Sequence, residues 1–163
     1  MLLTGCNMDV NLIQKENYFL ERGFSELYLQ KRFLFPFSKA SVFLLNKASL
    51  KDFICFCEEN ERAGEIILLL VSRDMMPLAI SLAYRSSKII IFDNGNIYSA
   101  AMGNLYKCSS NKKIITPREF EALKTTLLTK TRKLDWSCSI KTFYSQRHSA
   151  LKKLNIDKLS SIF

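Results

Sequence analysis

The chain is poor in the residues from which most enzyme sites are built. Its 163 residues include one histidine, five glycines and three prolines. A single histidine, His148, leaves no histidine cluster for a metal and little for acid–base work. No glycine-rich run of the kind that cradles phosphates is present, and no catalytic grouping of acids is evident. The sequence therefore points away from an enzyme and predicts no cofactor and no bound metal. Long apolar runs are missing too. The longest, Ile66 to Val71, stops at Ser72-Arg73-Asp74, far short of the roughly 20 residues a membrane span needs. Leu3-Thr4-Gly5-Cys6 has the look of a lipoprotein cleavage box but lacks the basic and apolar stretches that precede one. The cysteines number five, an odd count, and Cys55-Phe56-Cys57 has neither zinc-knuckle nor redox spacing. Reduced, mostly buried thiols in a soluble cytoplasmic protein are the expectation. There are no internal repeats and no low-complexity stretches.

Acids are scarce in one region. Residues 1–106 hold 11 Lys/Arg and 11 Asp/Glu, whereas residues 107–163 hold 13 against 4, so the net charge of +9 sits in the last third. A folded segment that basic is either a solvated surface or the footprint of a polyanion, nucleic acid foremost.

About half of the chain is hydrophobic, enough for a core. The first two thirds alternate extended and helical patterns. Strand-like runs cover Val10 to Gln14, Arg32 to Phe37, Val42 to Leu45, Ile66 to Val71 and Lys88 to Phe92. Helical periodicity covers Tyr18 to Leu29, Leu50 to Glu61 and Leu78 to Tyr84, with a last short helix expected in Gly95 to Tyr106. Strands apolar on both faces and separated by helices indicate a parallel sheet. The gap around Ser38-Lys39 is too short for a crossover helix. Either the flanking strands are not parallel neighbours or one helix is missing. Cys108 to Ile115, polar and lysine-bearing, reads as a linker.

Beyond it the pattern is helical. Thr116-Pro117-Arg118-Glu119 is a helix start, with Thr116 as cap, Pro117 at the first helical position and Glu119 completing a capping box. Phe120, Leu123, Leu127 and Leu128 give that helix an apolar face. In Ser139 to Leu154, the residues Ile140, Phe143, Ala150, Leu151 and Leu154 fall on or near one side. Lys141, Tyr144, Ser145, His148 and Lys152 fall on another, which carries hydrogen-bonding and cationic groups and no acid. That stripe suits a major groove, and it also suits an ordinary lysine-rich surface helix.

Two stretches carry a family likeness. Thr116-Pro117-Arg118-Glu119-Phe120-Glu121-Ala122-Leu123 resembles the first-helix signature of the LuxR/FixJ (GerE-type) DNA-binding domain, TPREREVL. Ser139-Ile140-Lys141-Thr142-Phe143-Tyr144-Ser145-Gln146-Arg147 resembles that family's recognition helix, SxKTVxxH, and the likeness runs on through Ser149, Lys153-Leu154 and Ile156. The stretch between them, Thr129 to Cys138, is about three residues shorter than is usual in the family. Gln146 stands for a frequent histidine and Asn155 for the glycine at the helix end, where asparagine tolerates a left-handed backbone. Trp136 takes the place of a core leucine. The resemblance implies that Tyr144, Ser145 and His148 face base edges. Lys141, Thr142, Arg147 and Lys152 would meet phosphates or the groove margin. Asp157 to Phe163 would form a short last helix whose Leu159 and Ile162 make a dimer contact.

The first part then resembles a response-regulator receiver. Lys15 to Phe24 is similar to the segment after the receiver's first strand, Ala40 to Asn46 to its third strand, and Ile66 to Ser72 to its fourth. The phosphorylation chemistry is missing. Lys15 occupies an acid position, Asn46 occupies the phosphoacceptor position, and an amide cannot form an acyl phosphate. Asp93-Asn94-Gly95 stands where a Lys-Pro pair is usual.

The expected architecture is α/β plus all-α. A truncated receiver-like parallel α/β domain, residues 1–107, is followed by a linker, 108–115, and a four-helix LuxR-type helix-turn-helix domain, 116–163. The expected function is a sequence-specific transcription regulator that binds double-stranded DNA, is not switched by aspartyl phosphorylation and has no membrane partner. It would act as a homodimer or as a heterodimer with another LuxR-type regulator. The alternative is a protein-interaction module that regulates by docking to such a regulator without binding DNA alone.

Overall fold

The structure of the protein, a computed structural model, describes residues 9–12, 22–23, 26, 39–60, 65–93, 96–109, 113–128 and 139–162. It is mixed α/β. A mostly parallel sheet has the order β1-β2-β3-β4-β5, with β1 at Asp9–Leu12, β2 at Lys39–Leu45, β3 at Ile67–Val71, β4 at Ile89–Asp93 and β5 at Asn96–Tyr98. The first four strands pair in parallel, and β5 turns back antiparallel on β4 with Asp93 opposite Asn96. Helix α1, Leu50–Asn60, connects β2 to β3. A 3-10 turn, Arg73–Met75, and helix α2, Met76–Arg85, connect β3 to β4.

The sequence reading places β1, β2, α1, β3, α2 and β4 to within a few residues and differs from the structure at two places. Lys39, read as part of a gap, begins β2, and β2 pairs directly with β1. The short helix expected within Gly95 to Tyr106 begins only at its end, as the five-residue α3, Leu105–Ser109, and the stretch before it contributes the unexpected strand β5. The physical reason is in the sequence itself. Asn94-Gly95 between two apolar runs is a strong short-range hairpin signal. The strand read at Arg32 to Phe37, most of the helix read at Tyr18 to Leu29, Lys15, and the segment with Trp136 lie outside the described residues.

Side chains along a strand alternate between faces. Phe43, Leu45, Leu69 and Ile91 lie on the face that receives the helices, while Val42, Leu68 and Ile90 are buried on the other. Burial on both faces is what a parallel sheet requires. Phe43 is the centre of the helix side, with its ring 5.1 Å from that of Phe53 and 5.6 Å from that of Phe56, both on α1.

The remaining elements are α4, Pro117–Leu128, α5, Ile140–Lys153, and a 3-10 turn, Leu159–Ser161. Leu123, Leu127, Ala150, Leu151, Leu154, Ile156 and Ile162 join the same continuous core as the sheet. Lys124 of α4 reaches Glu58 of α1 at 2.6 Å. The stretch read as a linker is docked where it is described. Cys108 is buried against Met76 at 3.7 Å. Ile115, 1% exposed, donates its N–H to Pro77 O at 3.3 Å and accepts at its carbonyl from Ser81 Oγ and Arg85 Nη2.

Truncating Phe43 to Ala removes the ring on which Phe53 and Phe56 both rest, and the expected loss is about 3–5 kcal/mol. Urea denaturation followed by circular dichroism measures it. A loss under about 1 kcal/mol would mean that the α1 contact contributes little to the core.

Candidate nucleic-acid interface

Helix α4 begins as its sequence dictates. Glu119 N–H donates to Thr116 Oγ1 at 3.3 Å, and Thr116 N–H donates to Glu119 Oε2 at 2.7 Å. This is the reciprocal capping box. Glu119 does more than cap. It is 4% exposed and also accepts from Ser149 Oγ and, at 2.7 Å, from Lys153 Nζ, both on α5. Lys153 Nζ donates as well to Ile114 O at 2.9 Å. Burial pushes the Glu119 carboxyl up, but hydrogen bonds from Lys153, Ser149 and Thr116 outweigh that and hold it below the ordinary glutamate value. The cap, α5 and the segment before α4 thus meet at one buried carboxylate.

Helix α5 starts at Ser139, whose hydroxyl accepts from Thr142 N–H at 3.2 Å. Its buried face is Phe143, Ala150 and Leu151, continued by Leu154. Helical spacing puts Ile140 with that face. At the first helical position it lies beyond the core and is 68% exposed. The helix ends at Asn155, with φ 53° in the left-handed region, and Ile156 N–H closes back on Leu151 O at 2.9 Å. An asparagine is suited to that backbone, and here its side chain is also used. Asn155 Nδ2 donates to Asp74 Oδ1 at 2.8 Å, Lys47 Nζ donates to Asn155 O at 2.6 Å, and Lys47 pairs with Asp74 at 3.1 Å. The Asn155 and Lys47 hydrogen bonds hold the Asp74 carboxyl below its ordinary value. The end of α5 is thereby fastened to the carboxyl edge of the sheet, beside Asn46.

Asn46 itself is half-buried at the end of β2. Its Oδ1 accepts from Ser49 N–H at 2.9 Å, and its own N–H donates to Ser49 Oγ at 3.0 Å. Ser49 Oγ in turn donates to Leu44 O at 2.7 Å. The Asn46 side chain thus closes the turn that leads into α1.

Anchored through its C-terminal half, α5 turns one face outward. Lys141, Tyr144, Ser145, His148 and Lys152 are exposed there, while Thr142 and Arg147 are half-buried at its margin. The seven residues named from the sequence come together on one helix. Tyr144 and Arg147 are not independent, because the Arg147 guanidinium lies 4.6 Å from the Tyr144 ring centroid. That cation–π contact was not legible as a pair from the two separately assigned roles. A shallow hollow of about 570 Å³ runs beside the face between the start of α4 and Ser145, Gln146 and Ser149 of α5. Leu159 and Ile162, named for a dimer contact, sit in and against the chain's own core, with Ile162 6% exposed. Among the described residues, no group of three or more His, Cys, Asp or Glu is placed to hold a metal ion, and no helix is long and apolar enough to cross a membrane.

Lys153→Ala leaves the buried Glu119 without its cation, and the expected destabilisation is about 3 kcal/mol at neutral pH. A carboxyl depressed in the folded state contributes stability above its unfolded pKa and loses it as pH falls through the folded value. The gap between wild type and Lys153→Ala should therefore narrow below about pH 4. Urea melts at both pH values test this, and an equal gap at each would show that Glu119 charge is not involved.

Searched for known relatives, the chain matches no protein-family model, and neither a curated protein nor a solved structure matches it significantly.

Proposed function

We propose that the protein is a sequence-specific DNA-binding transcription regulator that reads the major groove with α5. The observation that carries this reading is the outward face of that helix, five exposed residues of which two are lysines and none is acidic. A rigid helix with donors and acceptors at that spacing matches base edges, and its cations match phosphates. The excess positive charge of the last third supplies the sequence-independent attraction. The LuxR-type motif in Thr116 to Leu123 and Ser139 to Arg147 supports the same assignment, with a truncated receiver-like domain ahead of it. On this reading Tyr144, Ser145 and His148 face bases, and Lys141, Thr142, Arg147 and Lys152 address the backbone. The Tyr144–Arg147 stack presents its two members as a unit. Two copies, or one copy and another LuxR-type regulator, would address half-sites about one helical turn apart. Asn46 cannot form an acyl phosphate, so this reading includes no switch by aspartyl phosphorylation at that position.

A second reading, a module that docks to another regulator, is favoured by Ile140, an apolar side chain 68% exposed at the head of the same helix. Such a residue suits a protein partner better than a phosphate backbone.

Fluorescence anisotropy with selected and random duplexes across a salt series separates the two. The regulator reading expects a steep salt slope. Tyr144→Ala and His148→Ala should erode sequence preference, while Lys141→Ala should weaken both kinds of DNA and lower the salt slope by about 1. Absence of binding at low salt would favour the docking module, and equal losses for all three variants on both DNAs would overturn the assigned roles.

A further inference from the structure

The sheet has a second usable edge. At the amino ends of β3 and β4, opposite the edge that holds Asn46, a cavity of about 360 Å³ opens between α1, the end of α2 and α4. Its size falls within the range of small-molecule sites. Its apolar lining is Ile67, Leu82 and Ile89, each 7% exposed, together with the ring of Phe120.

The charges around it are unevenly matched. Glu58 is paired with Lys124 at 2.6 Å, Glu121 lies 3.9 Å from the same lysine, and Glu65 accepts from Ser41 Oγ at 3.0 Å. The two cations, Arg85 and Lys88, have no acid within ion-pair distance among the described residues. Arg85 is nonetheless fixed in place. Its Nη2 donates to Ser81 Oγ at 2.7 Å and Ile115 O at 3.3 Å, and its guanidinium lies over the Phe120 ring at 5.4 Å. Those contacts use one terminal nitrogen, so the other donors of the fork remain for a ligand. Burial lowers its pKa somewhat while Glu121 opposes that.

An apolar hollow with a preorganised guanidinium and an ammonium at its rim selects an amphipathic anion. We propose that this cavity binds a small carboxylate with an apolar body, one ring or a short chain, whose acid group meets Arg85 and Lys88. A guanidinium recognises a carboxylate through paired, charge-assisted hydrogen bonds, which a neutral amide of the same shape does not reproduce. The site is separate from the outward face of α5 and does not depend on DNA binding.

Isothermal titration calorimetry of the full chain tests this with benzoate, phenylacetate and hexanoate, each beside its primary amide. At least one acid should bind one to one and about tenfold tighter than its amide. Lys88→Gln, a change at an exposed rim position, should weaken that acid several-fold, and Arg85→Lys should weaken it about tenfold while keeping a donor for Ser81 and Ile115. Circular dichroism confirms that each variant is folded. Equal affinity for acid and amide, no binding by any of the six probes, or acid binding untouched by Lys88→Gln would overturn the proposal.

Discussion

The Glu119 carboxylate accepts from groups that belong to separate pieces of the chain: the Thr116 N–H at the head of α4, and the Ser149 hydroxyl and Lys153 ammonium on α5. Lys153 extends the contact to Ile114 O. A charge so deeply buried is tolerated only when it is paired and its lone pairs are filled. The relation between α4 and α5 is therefore constrained more tightly than apolar packing alone would make it. Leu123, Leu127, Ala150 and Leu151 supply the buried area, but such surfaces slide and rotate at small cost. Hydrogen bonds to one carboxylate do not.

A second constraint acts just beyond Lys153, at the C-terminal tip of α5. The Lys47–Asp74–Asn155 cluster is exposed, and each of its bonds alone is worth little. Its value is geometric. It ties the left-handed end of the helix to loops that follow β2 and β3. Glu119 on one side of α5 and this cluster at its tip together set the orientation of the helix's C-terminal half against the sheet. The face carrying Tyr144 and His148 then points away from the sheet. A glycine at 155 would satisfy the backbone equally well; asparagine adds the reach to Asp74.

Much of the fold was legible because it rests on periodicity. Leu50, Phe53 and Ile54 announce α1, the Ile67–Val71 run announces a strand buried on both faces, and Thr116 with Glu119 announces a capped helix down to its hydrogen bonds. The candidate face of α5 was legible for the same reason, since spacing alone puts Lys141, Tyr144, Ser145, His148 and Lys152 together. Two kinds of feature were not read. β5 is only three residues long, too short for alternation to mark it, and its one local signal is the Asn94-Gly95 pair before it. The docking of Ile115 could not be read at all. Its partners, Pro77, Ser81 and Arg85, are some thirty to forty residues away, and nothing local marks a polar stretch as pinned rather than free. Ile162 shows the same limit, since amphipathic spacing says that a side chain seeks burial but not which surface covers it.

Asn46 stands beside the cluster that holds the tip of α5. Its amide oxygen closes the turn before α1 by accepting from Ser49 N–H, a task an aspartate performs equally well. The turn therefore does not demand the amide. The neighbourhood gives a different reason for neutrality. Lys47, the next residue, is committed to Asp74 and to the carbonyl of Asn155. An anion at position 46, and a phosphorylated one with its charge of about −2 still more, would compete with Asp74 for that ammonium and loosen the tip of α5. Under the proposed function, the edge that serves as a switch in a receiver serves here as a fixed mount for the reading helix.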